Sequence, residues 1–234
     1  MSLYAIADTH LSFSCDKKMD VFRGWSDYTQ RLSDNWRSLV SDDDTVVIAG
    51  DISWAMKLSE LYEDFSFINN LPGQKIIIKG NHDYWWQTKK KLDEYIAQNG
   101  FSTIKILFNN SYEVGDYAVC GSRGWFFDDE EEFDKKVILR EAGRLKMSID
   151  SARKDGKEPI VFLHYPPIAG GQQCDEILEV LKNENIKRCF FGHLHGYSVQ
   201  GFEKFTHDGI TFDLISADFL NFCPKLIEKN YQKV

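Results

Sequence analysis

The sequence predicts a mixed α/β fold. Strand-length apolar runs recur along the chain, amphipathic stretches of helical length separate the first of them, and β-prone pairs flank tight turns in the middle and near the end. With 234 residues, one domain spanning residues 1–234 is expected rather than two. A composition of 43% hydrophobic residues is enough to build a core, and a chain of this size buries about 70% of its unfolded surface.

Taken in order, LYAIA at 3–7, TVVIA at 45–49 and KIIIK at 75–79 lack the alternation of a half-exposed strand, so they read as strands covered on both faces. Helical patterns at 25–40 and 57–70 lie between them, and another follows at 87–98, giving β-α-β-α-β-α. SYEVGDYAVCG at 111–121 places Gly115 and Asp116 between two β-prone runs, a hairpin signal. A long helix is expected from Glu130 to Arg153, with Phe133, Val137, Leu145, Ile149 and Ala152 on one stripe. The acidic run Asp128–Glu132 then falls at its start, where the helix dipole favours negative charge. IVFL at 160–163 and RCFF at 188–191 are two further buried runs, and VQGFEKFT with GITFDLIS flanks His207–Gly209 as a second hairpin. No repeat or linker-like tract suggests an internal boundary.

The formal charge of −8 argues against a nonspecific hold on polymeric nucleic acid or anionic lipid, since those contacts come from Lys and Arg neutralising phosphates. An anionic substrate therefore requires positive charge gathered locally. The five cysteines, Cys15, Cys120, Cys174, Cys189 and Cys223, are odd in number and contain no CxxC, so they read as reduced thiols. The start, MSLYAIADTH, has no basic-then-apolar leader, and no apolar run approaches the roughly 18 residues that span a bilayer. A cytoplasmic protein without a membrane partner is expected, and the oligomeric state stays open.

Five of the six histidines stand at or just beyond the C-terminal end of a buried run. After the first run come Asp8 and His10; after the second, Gly50 and Asp51; after the third, Gly80, Asn81, His82 and Asp83. His164 follows the fourth, and Gly192, His193 and His195 the fifth. Ligands gather beyond the carboxyl ends of strands, so these ends can bring distant residues to one place. In extended chain, residues i and i+2 face the same way, which predicts that Asp8 and His10 reach one ion together, as do His193 and His195. Neighbours Asn81 and His82 should point apart, one offering an amide oxygen to a metal and the other facing a substrate. The glycines before Asp51, Asn81 and His193 suit tight exits. A single histidine at a strand end is more often a satisfied polar group than a ligand; it is the ordered set that points to chemistry. His207, in the second hairpin, reads as an ordinary surface residue.

Asp8, His10, Asp51, Asn81, His164, His193 and His195 form a donor set of nitrogen and oxygen without sulfur, which suits Mn, Fe or Zn. They are too many for one ion. If Asp51 bridges, each of two ions has four protein ligands and room for water, the open arrangement of hydrolytic two-metal sites. With two aspartates and a hydroxide, such a centre keeps about one positive charge for a phosphate.

The blocks Asp8-x-His10, Gly50-Asp51, Gly80-Asn81-His82-Asp83, His164 and Gly192-His193-x-His195 resemble the calcineurin-like metallophosphoesterase superfamily, in the family's order across residues 8–195. The stretches GDISWAM, GNHDYWW and HYPP look like an uncharacterised bacterial branch, which brings no substrate with it. The resemblance implies a four-layer α/β/β/α sandwich of two mixed sheets flanked by helices. It implies Asp8, His10, Asp51 and His195 at one ion and Asp51, Asn81, His164 and His193 at the other. It also implies that His82 contacts the phosphate and protonates the leaving group. Protein-phosphatase members carry GDxxDRG, in which the second Asp orients the catalytic His and the Arg holds phosphate; here those positions are Trp54 and Ala55. That weakens a protein-phosphatase reading, and Asp83 cannot simply replace the missing Asp, because adjacent extended residues diverge. Arg123 is the candidate phosphate clamp.

The expected reaction is hydrolysis of a phosphomonoester or phosphodiester by a hydroxide between the two ions, in line with the leaving oxygen, with His82 as general acid. Trp54, Tyr84, Trp85, Trp86, Trp125 and Tyr165 lie near these blocks, and Tyr165 or Trp85 is the candidate for stacking on a substrate ring, making a small nucleotide or aryl ester plausible. The rivals are a nuclease, which would need a basic patch the sequence does not display, and a non-catalytic metal-binding scaffold, which would be expected to lose ligands or His82.

Overall fold

A computed structural model describes residues 1–125 and 135–229. The chain runs β1 (Ser2–Ile6), α1 (Tyr28–Leu39), β2 (Thr45–Ala49), α2 (Tyr62–Asn69), β3 (Gln74–Ile78), α3 (Lys89–Gln98), β4 (Ile104–Ile106), β5 (Tyr112–Val114) and β6 (Tyr117–Ser122). It continues with α4 (Lys135–Lys154), β7 (Glu158–Leu163), β8 (Ile168–Ala169), β9 (Gln172–Gln173), α5 (Asp175–Asn183), β10 (Arg188–Phe191), β11 (Lys204–His207), β12 (Ile210–Leu214) and β13 (Lys225–Lys229).

One sheet has the order β13-β1-β2-β3-β4 and the other β11-β12-β10-β7-β6-β5, with β8 and β9 forming a separate small ribbon. In the first sheet β1 to β4 are parallel and β13 runs antiparallel along β1. In the second β6, β7, β10 and β12 are parallel, and the edges β5 and β11 are antiparallel.

Both sheets are mixed, and their central strands are largely apolar because each sheet is covered twice. Leu3, Ala5, Val47, Ile76, Phe162 and Phe190 fill the space between the sheets. On the outer face of the first, Val46 and Ile48 meet Leu32 and Trp36 of α1 and Phe65 of α2. On the outer face of the second, Val161 and Phe191 meet Leu145 and Ile149 of α4 and Ile177 and Leu181 of α5. Strand alternation sends successive residues to opposite layers, and the result is the four-layer α/β/β/α sandwich.

Boundaries differ from the sequence reading where local geometry intervenes. The helix expected at 25–40 begins at Tyr28, after Asp27 turns the chain with φ 51°. The stretch 57–70 divides into a 3₁₀ turn at Leu58–Glu60 and α2. In α4, Ile138 is fully buried while Val137 is only half-buried; Phe133 and the run Asp128–Glu132 lie outside the described residues. His207 ends β11 opposite Ile210, leaving Asp208 and Gly209, both at positive φ, as the turn. Elements β4, α5 and β13 carry no signal in that reading.

The sheets are stitched together at one end. The Ala7 N–H donates to the Ile215 carbonyl at 2.7 Å, and the Ala217 N–H donates to the Ala7 carbonyl at 2.9 Å, joining the exits of β1 and β12. The packing between the sheets is tested by Phe162→Ala. Phe162 is fully buried and stacks on Phe190 with centroids 5.2 Å apart, so truncation should cost about 3–5 kcal/mol in denaturant unfolding. A loss under about 1 kcal/mol would show that the space collapses freely.

Candidate metal centre

The exits of β1, β2, β3, β7 and β10 meet at the stitched end, bringing together all seven residues of the expected donor set. Their backbone is unusual. Asp8, His10, Asp51 and His193 have φ of 59°, 44°, 49° and 72°, a left-handed conformation that costs a non-glycine residue about 1–2 kcal/mol. The expectation that Asp8 and His10 align because the chain is extended is therefore incorrect; what aims them is a left-handed loop zipped onto its neighbour. The Asp8 N–H donates to the Gly50 carbonyl, the His10 N–H to the Asp51 carbonyl and the Leu11 N–H to the Ile52 carbonyl, each at 2.9 Å. Two glycines make room: a Cβ at Gly80 would fall 2.1 Å from Asp51 Oδ1, and one at Gly192 would fall 2.5 Å from Asp8 Oδ2.

Ligand atoms of Asp8, His10 and His195 lie within 4.8 Å of one another, as do those of Asp8, Asp51 and His164. Asp51 faces both groups, with Oδ2 3.8 Å from His10 Nε2 and Oδ1 3.6 Å from His164 Nε2. Asn81 Oδ1 lies 2.6 Å from His164 Nε2 and 3.2 Å from His193 Nδ1. Donors bound about 2.1 Å from a shared ion stand roughly 3–4 Å from each other, so the spacing fits a cation. So does an unsatisfied ring. His10 is 4% exposed, its Nδ1 has no hydrogen-bond partner, and the carboxylate facing its Nε2 is beyond hydrogen-bond range.

Two imidazoles are fixed from behind. His164 Nδ1 is 3.1 Å from the Ala49 carbonyl, which can only accept, so Nδ1 carries the proton and Nε2 turns a lone pair to the centre. His195 Nδ1 is 2.8 Å from Asp218 Oδ1, while its Nε2 is 3.6 Å from Asp8 Oδ1.

The electrostatics describe a pocket that calls for positive charge. Burial opposes ionisation of Asp8, but His195 outweighs it and holds the carboxyl well below the usual carboxylate range. Burial and then the Asp8 charge push Asp51 up to about 8. Burial likewise opposes charge on His195, yet Asp8 and Asp218 lift it to about 10. Burial, then His164, takes His193 down to about 3, and burial also lowers His10 and His164. Those rings are neutral at pH 7, the form in which histidine binds a metal.

The profile of the family described as calcineurin-like phosphoesterase matches residues 1–197. The chain belongs to that family. No curated protein matches it. Among solved structures, the protein of unknown function AQ665 from Aquifex aeolicus is 18% identical with a TM-score of 0.51, covering 96% of this chain and 94% of that one. The phosphopantetheinyl hydrolase PptH from Mycobacterium tuberculosis is 16% identical with a TM-score of 0.53, covering 100% and 98%. TT1561 of Thermus thermophilus is 12% identical with a TM-score of 0.56, covering 97% of each chain. These likenesses are likenesses of fold.

In this calcineurin-like phosphoesterase His82 stands beside the donor set, its ring 5.9 Å from that of His10. Burial, then His164, lowers its pKa. Its Nδ1 is 3.1 Å from Tyr84 Oη, and the Trp54 indole lies 4.5 Å from its ring. Asp83 does not orient it. That carboxylate is fully buried and accepts N–H donors from Gly80 at 2.7 Å, Ile52 at 2.9 Å and Asp51 at 3.0 Å, clamping two loops together. Burial and the Asp51 charge push Asp83 up to about 7.

Trp85 is corrected as a stacking candidate: it is 0% exposed and packs edge-on against Phe65 beneath the helices, because the chain turns inward after Tyr84. Tyr165 packs its ring 4.5 Å from that of His193 and is 7% exposed. The Arg123 guanidinium lies 5.0 Å from the Trp125 centroid and 5.8 Å from that of Tyr165. The Arg123 carbonyl accepts the N–H of Tyr165 at 2.9 Å.

Asp218 is absent from the expected set, although it follows β12 as the other acids follow their strands. Its carboxylate should matter to cation uptake. In Asp218→Ala, metal affinity is expected to fall about 10- to 100-fold in an equilibrium titration with Mn or Zn while the fold is kept. Unchanged affinity would show that His195 needs no such partner.

Proposed function

We propose that this protein is a dinuclear metal-dependent phosphoesterase acting on a small phosphate ester. Asp8, His10, Asp51 and His195 would hold one ion, and Asp51, Asn81, His164 and His193 the other. The observation that carries this reading is Asp51, whose two oxygens face one imidazole from each set, His10 and His164. Nitrogen and oxygen donors without sulfur suit Mn, Fe or Zn. Bound there, two divalent ions would offset the charge of the phosphoryl oxygens and ease loss of a proton from an attacking water.

The protein's own groups do the rest. Asp218 and the Ala49 carbonyl hold the His195 and His164 rings with Nε2 facing inward. Asp83 keeps the loops bearing Asp51 and His82 in register. His82 delivers a proton to the departing ester oxygen: its Nδ1 is engaged with Tyr84, which leaves Nε2 for that oxygen, and Trp54 restricts the ring.

The test pairs metal analysis with phosphate release from phosphomonoesters, cyclic nucleotides and diesters. Chelation should abolish turnover; a metal-loaded protein inert on the whole panel overturns the reading. His82→Ala should retain its metal and lose about 10²- to 10⁴-fold in kcat on an alkyl phosphate. The loss should shrink on an aryl ester whose leaving group needs no proton, and full alkyl turnover would remove His82 from the role.

A further inference from the structure

Beside His82 the surface opens into a pocket of about 410 Å³, within the range of small-ligand sites. Its floor is the outer edge of the centre, formed by His10, His82 and His195. Its walls are Met19, Trp25 and Trp54, and Lys17, Phe22 and Arg23 stand at the mouth.

The walls are fixed before any ligand arrives. The Trp54 indole stacks on His10 at 5.0 Å and 18°, and its Nε1–H donates to Met19 Sδ at 3.2 Å. Trp25 is 4% exposed, edge-on against Phe222 at 5.0 Å, whereas Phe22 is 51% exposed. The open charges are positive. Lys17 Nζ lies 4.1 Å above the Trp54 centroid, and among the described residues no carboxylate stands within 4.0 Å of Lys17 or Arg23. Asp218 also lines the pocket, but its oxygens are taken by His195 Nδ1 at 2.8 Å and the Gly196 N–H at 3.2 Å.

We infer that this pocket receives the leaving group, and that it selects a phosphate ester whose leaving group carries a flat ring for Trp54 and Trp25 and a second anionic group for Lys17 and Arg23. The inference rests on the phosphoesterase reading, because a general acid must touch the leaving oxygen and whatever hangs from that oxygen extends into the space beside His82. Aromatic walls reward a ring, and two cations at a mouth with no carboxylate beside them among the described residues reward an anion. In a protein with a charge of −8, they are the local positive charge that an anionic substrate requires.

The test uses metal-loaded wild-type protein and the Lys17→Ala/Arg23→Ala double variant. Turnover is measured on ethyl, benzyl and 4-carboxybenzyl phosphate, and binding of benzylphosphonate and 4-carboxybenzylphosphonate is measured by calorimetry. Wild type should favour benzyl over ethyl phosphate, and should favour the carboxylated member of each benzyl pair by about 3- to 10-fold, the scale of two partly exposed ion pairs. In the double variant that preference should fall towards one. Phosphate release from both benzyl esters with equal phosphonate binding in wild type overturns the pocket and leaves the phosphoesterase reading intact. Preference among the phosphonates that the double variant abolishes, without turnover of any ester, supports the pocket and sinks that reading instead. An equal preference in wild type and variant overturns the assignment of Lys17 and Arg23.

Discussion

Asp8 and Asp51 are buried side by side at the closed end of the sandwich, and two carboxylates cannot both ionise in such a place without compensation. Much of the surrounding structure answers that constraint. His195 faces Asp8 at 3.6 Å, and Asp218 stands behind it. The His82 N–H donates to Asp51 at 2.8 Å, and the His193 N–H donates to Asp8 Oδ2 at 2.9 Å. Buried negative charge facing neutral imidazoles is a site shaped for cations.

Four of the candidate donors beside these carboxylates sit in left-handed backbone. At these exits a left-handed turn, rather than extended chain, sets where the side chains point. The conformational cost is offset by backbone hydrogen bonds between neighbouring loops and by glycines at Gly80 and Gly192, where any side chain would strike a carboxylate. Trp54 belongs to the same arrangement. At the position where the GDxxDRG pattern has its second Asp, an indole packs on His82 and forms a pocket wall, so one position both restrains that ring and shapes what lies next to it.

The doubly covered strands were legible because burial on both faces leaves a continuous apolar run, as at 45–49, and the donors were legible because they follow those runs. What lay hidden was geometry set by tertiary contact. Nothing local marks Asp8 or His10 as left-handed, since the hydrogen bonds that hold them come from residues 50 and 51. Asp83 stands beside His82 in the sequence but is turned inward to cap backbone N–H groups, and Trp85 reads like a stacking surface but is buried against Phe65. Asp218 could have been found by the strand-end rule, but its run, ITFDLIS, reads only as a hairpin arm, because a charged residue in its middle masks a strand buried on both faces. β13 is equally masked: Lys225 and Glu228 within it pair with Asp213 and Arg188 of the other sheet.

Asp8, His10, Asp51 and Asn81 come from one sheet, and His164, His193 and His195 from the other. A cation gripped by both halves would act as a rivet through the sandwich, since prising the layers apart would break its coordination. Occupancy and resistance to melting would then be two readings of one equilibrium, with a hundredfold excess of metal over its dissociation constant adding about 2.7 kcal/mol.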